Sequence, residues 1–188
     1  MQKFRSRRNG FWGKLVAIFM MISAIAVLNS APASASYKWN SLFQNWANGF
    51  CLDSNASGAV YTNPCQRGNQ YQQWEVTGPF GTLDGHEQVR VRNIATHRHL
   101  FIGWVWLPNC GGLQNCYTPV VQTVPVTSPP AAGTLLNARG PDWTNVNFRV
   151  RADPGDSTRQ FCADGGQPAT TVAANACNYG TYQTWRRY

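Results

Sequence analysis

One ordered motif occurs twice in this chain, and it constrains the fold more than any other feature. Cys51 and Asp53 are followed by Val60, Asn63, Cys65, Gly68, Tyr71, Gln72 and Trp74. Cys162 and Asp164 are followed by Val172, Asn175, Cys177, Gly180, Tyr182, Gln183 and Trp185. Both copies read Cys-x-Asp, then Val-x-x-Asn-x-Cys-x-x-Gly, then Tyr-Gln-x-Trp. A repeat of a few tens of residues implies a unit that buries its apolar face only against its own copies. The two copies start 111 residues apart, which leaves room for a third between them.

A degenerate third copy fits that space. Val89-Arg90-Val91-Arg92-Asn93 alternates as a strand does, and Thr96 to Ile102 comes next. Alignment on Ala47 to Asp53 places His99 at the Cys and Phe101 at the Asp. Trp143 falls near the closing Trp, with Phe148 as the alternative, and this copy is about 20 residues longer than the others. Each copy suits four short strands broken by turn signals such as Pro64, Gly68, Gly81, Asp84-Gly85 and Pro154-Gly155. Glu occurs only at Glu75 and Glu87, whereas Thr, Val, Asn and Gly are abundant, so an all-β chain is expected. Disorder is excluded by eight Trp, seven Tyr and nine Phe, which supply ample buriable surface. The recurring Trp74 and Trp185 read as core residues, each with the Gln two places earlier holding a turn.

The N-terminus stands apart. Lys3, Arg5, Arg7, Arg8 and Lys14 precede an apolar run of 14 residues from Leu15 to Leu28, and Ala33-Ser34-Ala35 has the small-x-small form of a cleavage site. Residues 1–35 therefore read as a secretory signal peptide. The run is too short to span a bilayer core of about 30 Å, so no stable membrane insertion is expected. Loss of the leader removes five of the 16 basic residues and leaves 11 against eight acidic, a net charge of +3. Apart from Arg186-Arg187 no basic block remains, and nucleic acid is not an expected partner.

All six Cys come after the leader, and export takes them to an oxidising compartment. Their spacing suggests Cys51–Cys65, Cys110–Cys116 and Cys162–Cys177 among the 15 possible pairings. No Cys-x-x-Cys motif or Cys/His cluster marks a metal site, and no cofactor is expected. Catalysis lacks a constellation as well. There is no Gly-x-Ser-x-Gly, His-Glu-x-x-His or phosphate loop, and no carboxylate pair stands out as a glycosidase would need.

The threefold pattern with Cys-Leu-Asp at the start and Gln-x-Trp at the end resembles the ricin B-type lectins, over essentially all of residues 37–188. That resemblance implies a β-trefoil with three pseudo-repeats, at approximately 37–78, 86–143 and 148–188, within a domain of residues 36–188. It also implies a carbohydrate-binding module, which the leader makes secreted and extracellular. In that family each lobe holds a sugar beside the Asp carboxylate, with an aromatic ring stacked on the sugar. Carried across, the candidate site comprises Asp53, Tyr61, Asn63, Tyr71 and Gln72 in the first lobe. In the third lobe it comprises Asp164, Asn175, Tyr182 and Gln183. The chain departs from the family pattern where Asn63 and Asn175 take the usual place of the stacking aromatic, and Tyr71 and Tyr182 that of a polar residue. Tyr61 and Tyr179 are replacement platforms. With Phe101 for its carboxylate the middle lobe is expected to hold no sugar, and the first lobe to bind more strongly than the third. A second role for Asp53 and Asp164 is to cap turns through nearby backbone amides.

The middle lobe also carries an insertion over residues 103–141, expected to be an irregular excursion. Trp104 and Trp106 alternate with Val105, so one face of the segment is doubly aromatic: a platform for a polysaccharide or a protein partner if exposed, a satellite core if covered. A protein-binding or protease-inhibitor function through this insertion is the alternative to carbohydrate binding. N-terminal sequencing of the secreted protein should begin at Ser36; a sequence beginning at Met1 would refute the leader assignment.

Overall fold

The computed structural model describes residues 37–108, 115–127, 129, 131–140, 143–153, 156–166 and 170–188. The leader and the Cys110–Cys116 bridge lie outside the described residues. Among the described residues the chain is all-β, with no α-helix and no helix long and apolar enough to cross a membrane.

The strands are β1 (Tyr37–Ser41), β2 (Phe43–Asn45), β3 (Cys51–Ser54), β4 (Val60–Asn63), β5 (Trp74–Gly78), β6 (Thr82–Leu83) and β7 (His86–Asn93). After them come β8 (His99–Pro108), β9 (Asn115–Val124), β10 (Leu136–Arg139), β11 (Asn147–Asp153), β12 (Asp156–Asp164), β13 (Ala173–Ala176) and β14 (Trp185–Arg187). Single 3-10 turns at Ala132–Thr134 and Thr181–Gln183 precede β10 and β14. One sheet runs β1-β5-β7-β10-β11-β12-β13, with β6 and β8 also on β7 and β9 on β8; the other runs β14-β2-β3-β4.

The pairings of β5, β10 and β14 obey one rule. β5 pairs antiparallel with β1 and β7, and β10 with β7 and β11. β14 pairs with β2 and reaches back to Val146, just before β11, through an isolated bridge at Trp185. Each therefore joins the opening stretch of its own segment to that of another, with β2 continuing β1 after Leu42 and Val146 standing just before β11. Alternation drives the inward face: along β7, Val89, Val91 and Asn93 are buried while Arg90 and Arg92 are only partly so. Strand β4 buries Val60 and Thr62 and turns Tyr61 and Asn63 outward.

Trp74, Trp185, Phe43, Phe148, Leu52, Leu100 and Leu136 form the centre of the core, all fully buried. The Phe43 and Phe148 rings meet edge to face at 4.9 Å, a favoured aromatic geometry. Trp74 opens β5 opposite Ser41, and Trp185 opens β14 opposite Val146. In the middle segment that position belongs to Leu136, which opens β10 opposite Val89. Trp143, expected there from its spacing, instead lies after β10 in the connection to β11. It packs part-buried against Trp39 at 4.8 Å and Tyr37 at 6.4 Å. Phe148 lies within β11. The long separation between the motif copies hid this offset, because Leu is not a motif residue.

The insertion also differs from expectation. Much of it is a regular hairpin, with β8 and β9 in unbroken register from His99↔Val124 to Pro108↔Asn115. β-branched Val and Thr residues along Thr118–Val124 favour the extended backbone. Pro119 is tolerated because, among the described residues, β8 is the strand that β9 ladders with and the bridge on its other side falls at Gln122, so the missing N–H of Pro119 can face away from the ladder.

Glu75 ties three strands together: its carboxylate takes Lys38 Nζ of β1 at 2.8 Å and Arg92 Nη2 of β7 at 3.1 Å. Burial works to raise the Glu75 pKa, but the hydrogen bonds and charges of Lys38 and Arg92 outweigh it and hold the pKa below the usual 4.5. A depressed carboxylate pKa contributes stability that is present above the unfolded value and lost as the pH falls through the folded one. Glu75→Gln should therefore lower the urea midpoint at pH 7 and shrink the difference in midpoint between pH 7 and pH 3. An unchanged difference would show that the clasp contributes nothing.

Candidate functional site

In each motif copy the Cys strand and the strand after it set the register of the site. Asp53 of β3 faces Tyr61 of β4, and Cys51 faces Asn63. Asp164 of β12 faces Ala173 of β13, and Cys162 faces Asn175. Disulfides close both units: Cys51–Cys65 with Cα atoms 4.9 Å apart, and Cys162–Cys177 at 5.1 Å. Two of the three bridges expected from spacing are thus present. In the chain-entropy model a loop of this size stabilises by about 3 kcal/mol.

The carboxylates sit in matching side-chain networks. Asp53 Oδ2 accepts from Asn63 Nδ2 at 3.0 Å and from Gln72 Nε2 at 3.1 Å. Asp164 Oδ2 accepts from Asn175 Nδ2 at 3.2 Å and from Gln183 Nε2 at 3.3 Å. The two Gln side chains are buried and hold the turns as expected. Gln72 Oε1 accepts from the Gln66 amide at 2.8 Å, and its Nε2 also donates to the Pro64 carbonyl at 3.0 Å. Gln183 Oε1 accepts from the Asn178 amide at 2.9 Å, and its Nε2 also donates to the Ala176 carbonyl at 3.0 Å. With their polar atoms engaged, Gln72 and Gln183 orient the carboxylates from beneath.

The two carboxylates differ in what they leave open. Asp53 is only 2% exposed, and its Oδ1 is buried with no hydrogen-bond partner. Such an orphan acceptor is costly to bury. Asp164 is half-buried, and its Oδ1 accepts from the Gly166 amide at 3.1 Å, which is the turn-capping role. An ionised carboxylate offers about four lone-pair sites, so Asp164 retains acceptor capacity on an open surface. Burial and then the negative charge of Asp53 push the Tyr61 phenol pKa up.

The rings one place before each Gln are exposed, Tyr71 at 45% and Tyr182 at 43%. Their backbones are clamped. The Tyr71 carbonyl accepts from Asn93 Nδ2 at 2.7 Å and from the Ser54 amide at 3.2 Å. The Tyr182 carbonyl accepts from Asn45 Nδ2 at 2.7 Å and from the Gly165 amide at 2.8 Å. The positioning residues Asn45 and Asn93 are fully buried, and sequence reasoning missed them. A signal existed: each lies six residues before the position of Cys51 or His99. Tyr179, named as a replacement platform, is engaged elsewhere. The Arg139 guanidinium lies 3.7 Å from its ring centroid, and its hydroxyl donates to Gln160 Oε1 at 2.9 Å.

The hairpin carries aromatic residues of its own. Trp106 is 54% exposed and faces Tyr117, itself 69% exposed. Trp104 stands opposite Pro119 and meets Phe161 edge to face at 5.0 Å. Of the two readings of this segment, Trp106 and Tyr117 fit the exposed platform, whereas Trp104 is partly covered.

No protein-family model matches the chain, and no curated protein matches it. Among solved structures it is similar to the crystal structure of the Rhizoctonia solani agglutinin. That likeness has 19% identity and a TM-score of 0.48, and spans 84% of this chain and 98% of that one.

Gln183→Ala and Gln72→Ala each strand several polar groups and should destabilise the protein by about 1–3 kcal/mol in urea unfolding. Tyr71→Ala, at an exposed ring, should stay within roughly 0.5 kcal/mol of the parent. Equal losses for all three would refute the division into supporting Gln and presented Tyr.

Proposed function

We propose that this chain is a secreted, non-catalytic carbohydrate-binding module of the β-trefoil, ricin B-type lectin class. The observation that carries this reading is the pair of equivalent carboxylate networks, Asp53–Asn63–Gln72 and Asp164–Asn175–Gln183. Each stands beside an exposed tyrosine on a clamped backbone. A sugar needs both elements: a fixed acceptor for adjacent hydroxyls, and a ring for its apolar face. The Asn side chains add acceptor oxygens at the rim. The shared pairing pattern of β5, β10 and β14 supports the trefoil, with lobes at approximately 37–78, 86–143 and 148–188. The two disulfides suit an oxidising, extracellular compartment.

In this reading the first and third lobes bind and the middle one, with Phe101, does not. The first offers the unmet acceptor of Asp53, and the third the more accessible carboxylate of Asp164. Two weak sites on one chain would reinforce each other on a glycan-dense surface. The exposed Trp106–Tyr117 pair favours a second reading, a protein-binding or inhibitory role for the hairpin.

A glycan array should show binding by the parent. Asp53→Asn and Asp164→Asn should each weaken it, because loss of a charged acceptor costs about 1.5–3 kcal/mol. The double variant should lose binding while keeping its circular dichroism spectrum. Silence across the array together with inhibition of a protease panel would replace this reading with the second.

A further inference from the structure

The middle segment has exchanged its polar site for an apolar one. Phe101 takes the place of Asp53 and Asp164, and Gly133 precedes Leu136 by three residues as Tyr71 precedes Trp74. The exchange is sterically matched. A Cβ on Gly133 would lie 2.5 Å from Phe101 Cε2 and 2.5 Å from the Ile102 carbonyl oxygen. A Cβ on Gly103 would lie 2.5 Å from Phe101 Cζ. Only glycine at both places lets the Phe101 ring lie flat against the backbone.

Beside that ring is a cavity of about 530 Å³, walled chiefly by Leu83, Phe101, Trp104, Leu135 and Val150. It opens to solvent near Ala132, which is exposed, and the partly covered Trp104. The volume falls within the few hundred to about 1,000 Å³ typical of small-molecule sites, which combine apolar walls with few polar groups. Its polar lining residues are Gln88 and Asn137, and Asn137 is the buried one. Asn137 is only 3% exposed, and its Oδ1 is buried with no hydrogen-bond partner. A buried amide oxygen in an apolar pocket is destabilising until a donor reaches it.

We propose that this cavity is a binding site for a small aromatic molecule of the phenol class, with its hydroxyl donating to Asn137 Oδ1. The flat walls of Phe101 and Trp104 match an aromatic ring in size and polarity, and the single orphan acceptor selects for one donor. A sugar fits poorly, since most of its hydroxyls would face apolar walls unpaired. The site is independent of the carboxylate networks and does not rest on the carbohydrate reading.

The test is an amide NMR titration of the secreted protein with p-cresol and, in parallel, with 4-methylanisole, which has the same ring but no donor. With p-cresol the amides of Gly103, Gly133 and Asn137 should shift saturably. 4-Methylanisole should bind about tenfold more weakly, the difference expected for one buried hydrogen bond. Asn137→Leu should erase that preference without lowering the urea midpoint, because it removes an unsatisfied acceptor. Should that variant fail to fold, the two ligands on the parent protein decide the matter alone. Absence of saturable shifts at those amides, or equal affinity for the two ligands, would overturn the proposal.

Discussion

The bond from an indole N–H to a carbonyl on the Cys strand sets the geometry of each intact motif. Trp74 Nε1 donates to Leu52 O at 2.9 Å, and Trp185 Nε1 donates to Ala163 O at 3.0 Å. Both indoles are fully buried, so neither the donor nor the carbonyl has water as an alternative partner. That bond fixes the closing strand against the strand carrying the Asp. It therefore places the Gln two residues earlier beneath the carboxylate, and the Tyr before that Gln at the surface. Core packing and site geometry are thus consequences of one contact, repeated.

The middle segment lacks that contact, and its site is built differently. Leu136 fills the space of the indole but has no N–H to donate. Thr134, two residues earlier, turns its hydroxyl to the Ala131 carbonyl at 2.6 Å in place of a Gln reaching for a carboxylate. With neither carboxylate nor Gln to satisfy, Phe101 and Gly133 close the site with apolar contact. The strands beyond it lengthen into the β8–β9 hairpin.

Much of this was legible in the sequence because the motif residues are chemically unusual together. Trp, Gln, Asp and paired Cys at fixed offsets mark buried donors, acceptors and crosslinks, and the structure engages them in those roles. Leu136 was not legible, since one Leu among many carries no label and the insertion removed the register that would have identified it. Alternation in the hairpin was masked by Pro119, which reads as a breaker until β9 is known to be an edge. Asn45 and Asn93 were missed for a different reason. They lie outside the Cys-to-Trp motif and act on the carbonyls of Tyr182 and Tyr71, far from them in sequence. The exposure of Asp164 against the burial of Asp53 depends on side chains around them, which identical motif letters cannot distinguish.

The central proposal is that the two carboxylate networks hold a glycan. Side-chain amide resonances test it directly, because Asn63 and Asn175 donate to those carboxylates. On titration with a glycan that the protein binds, the Nδ2 resonances of Asn63 and Asn175 should shift together with the amides of Tyr71 and Tyr182. Shifts confined to Trp106, Tyr117 and their hairpin neighbours, with both Asn side chains unmoved, would contradict the account.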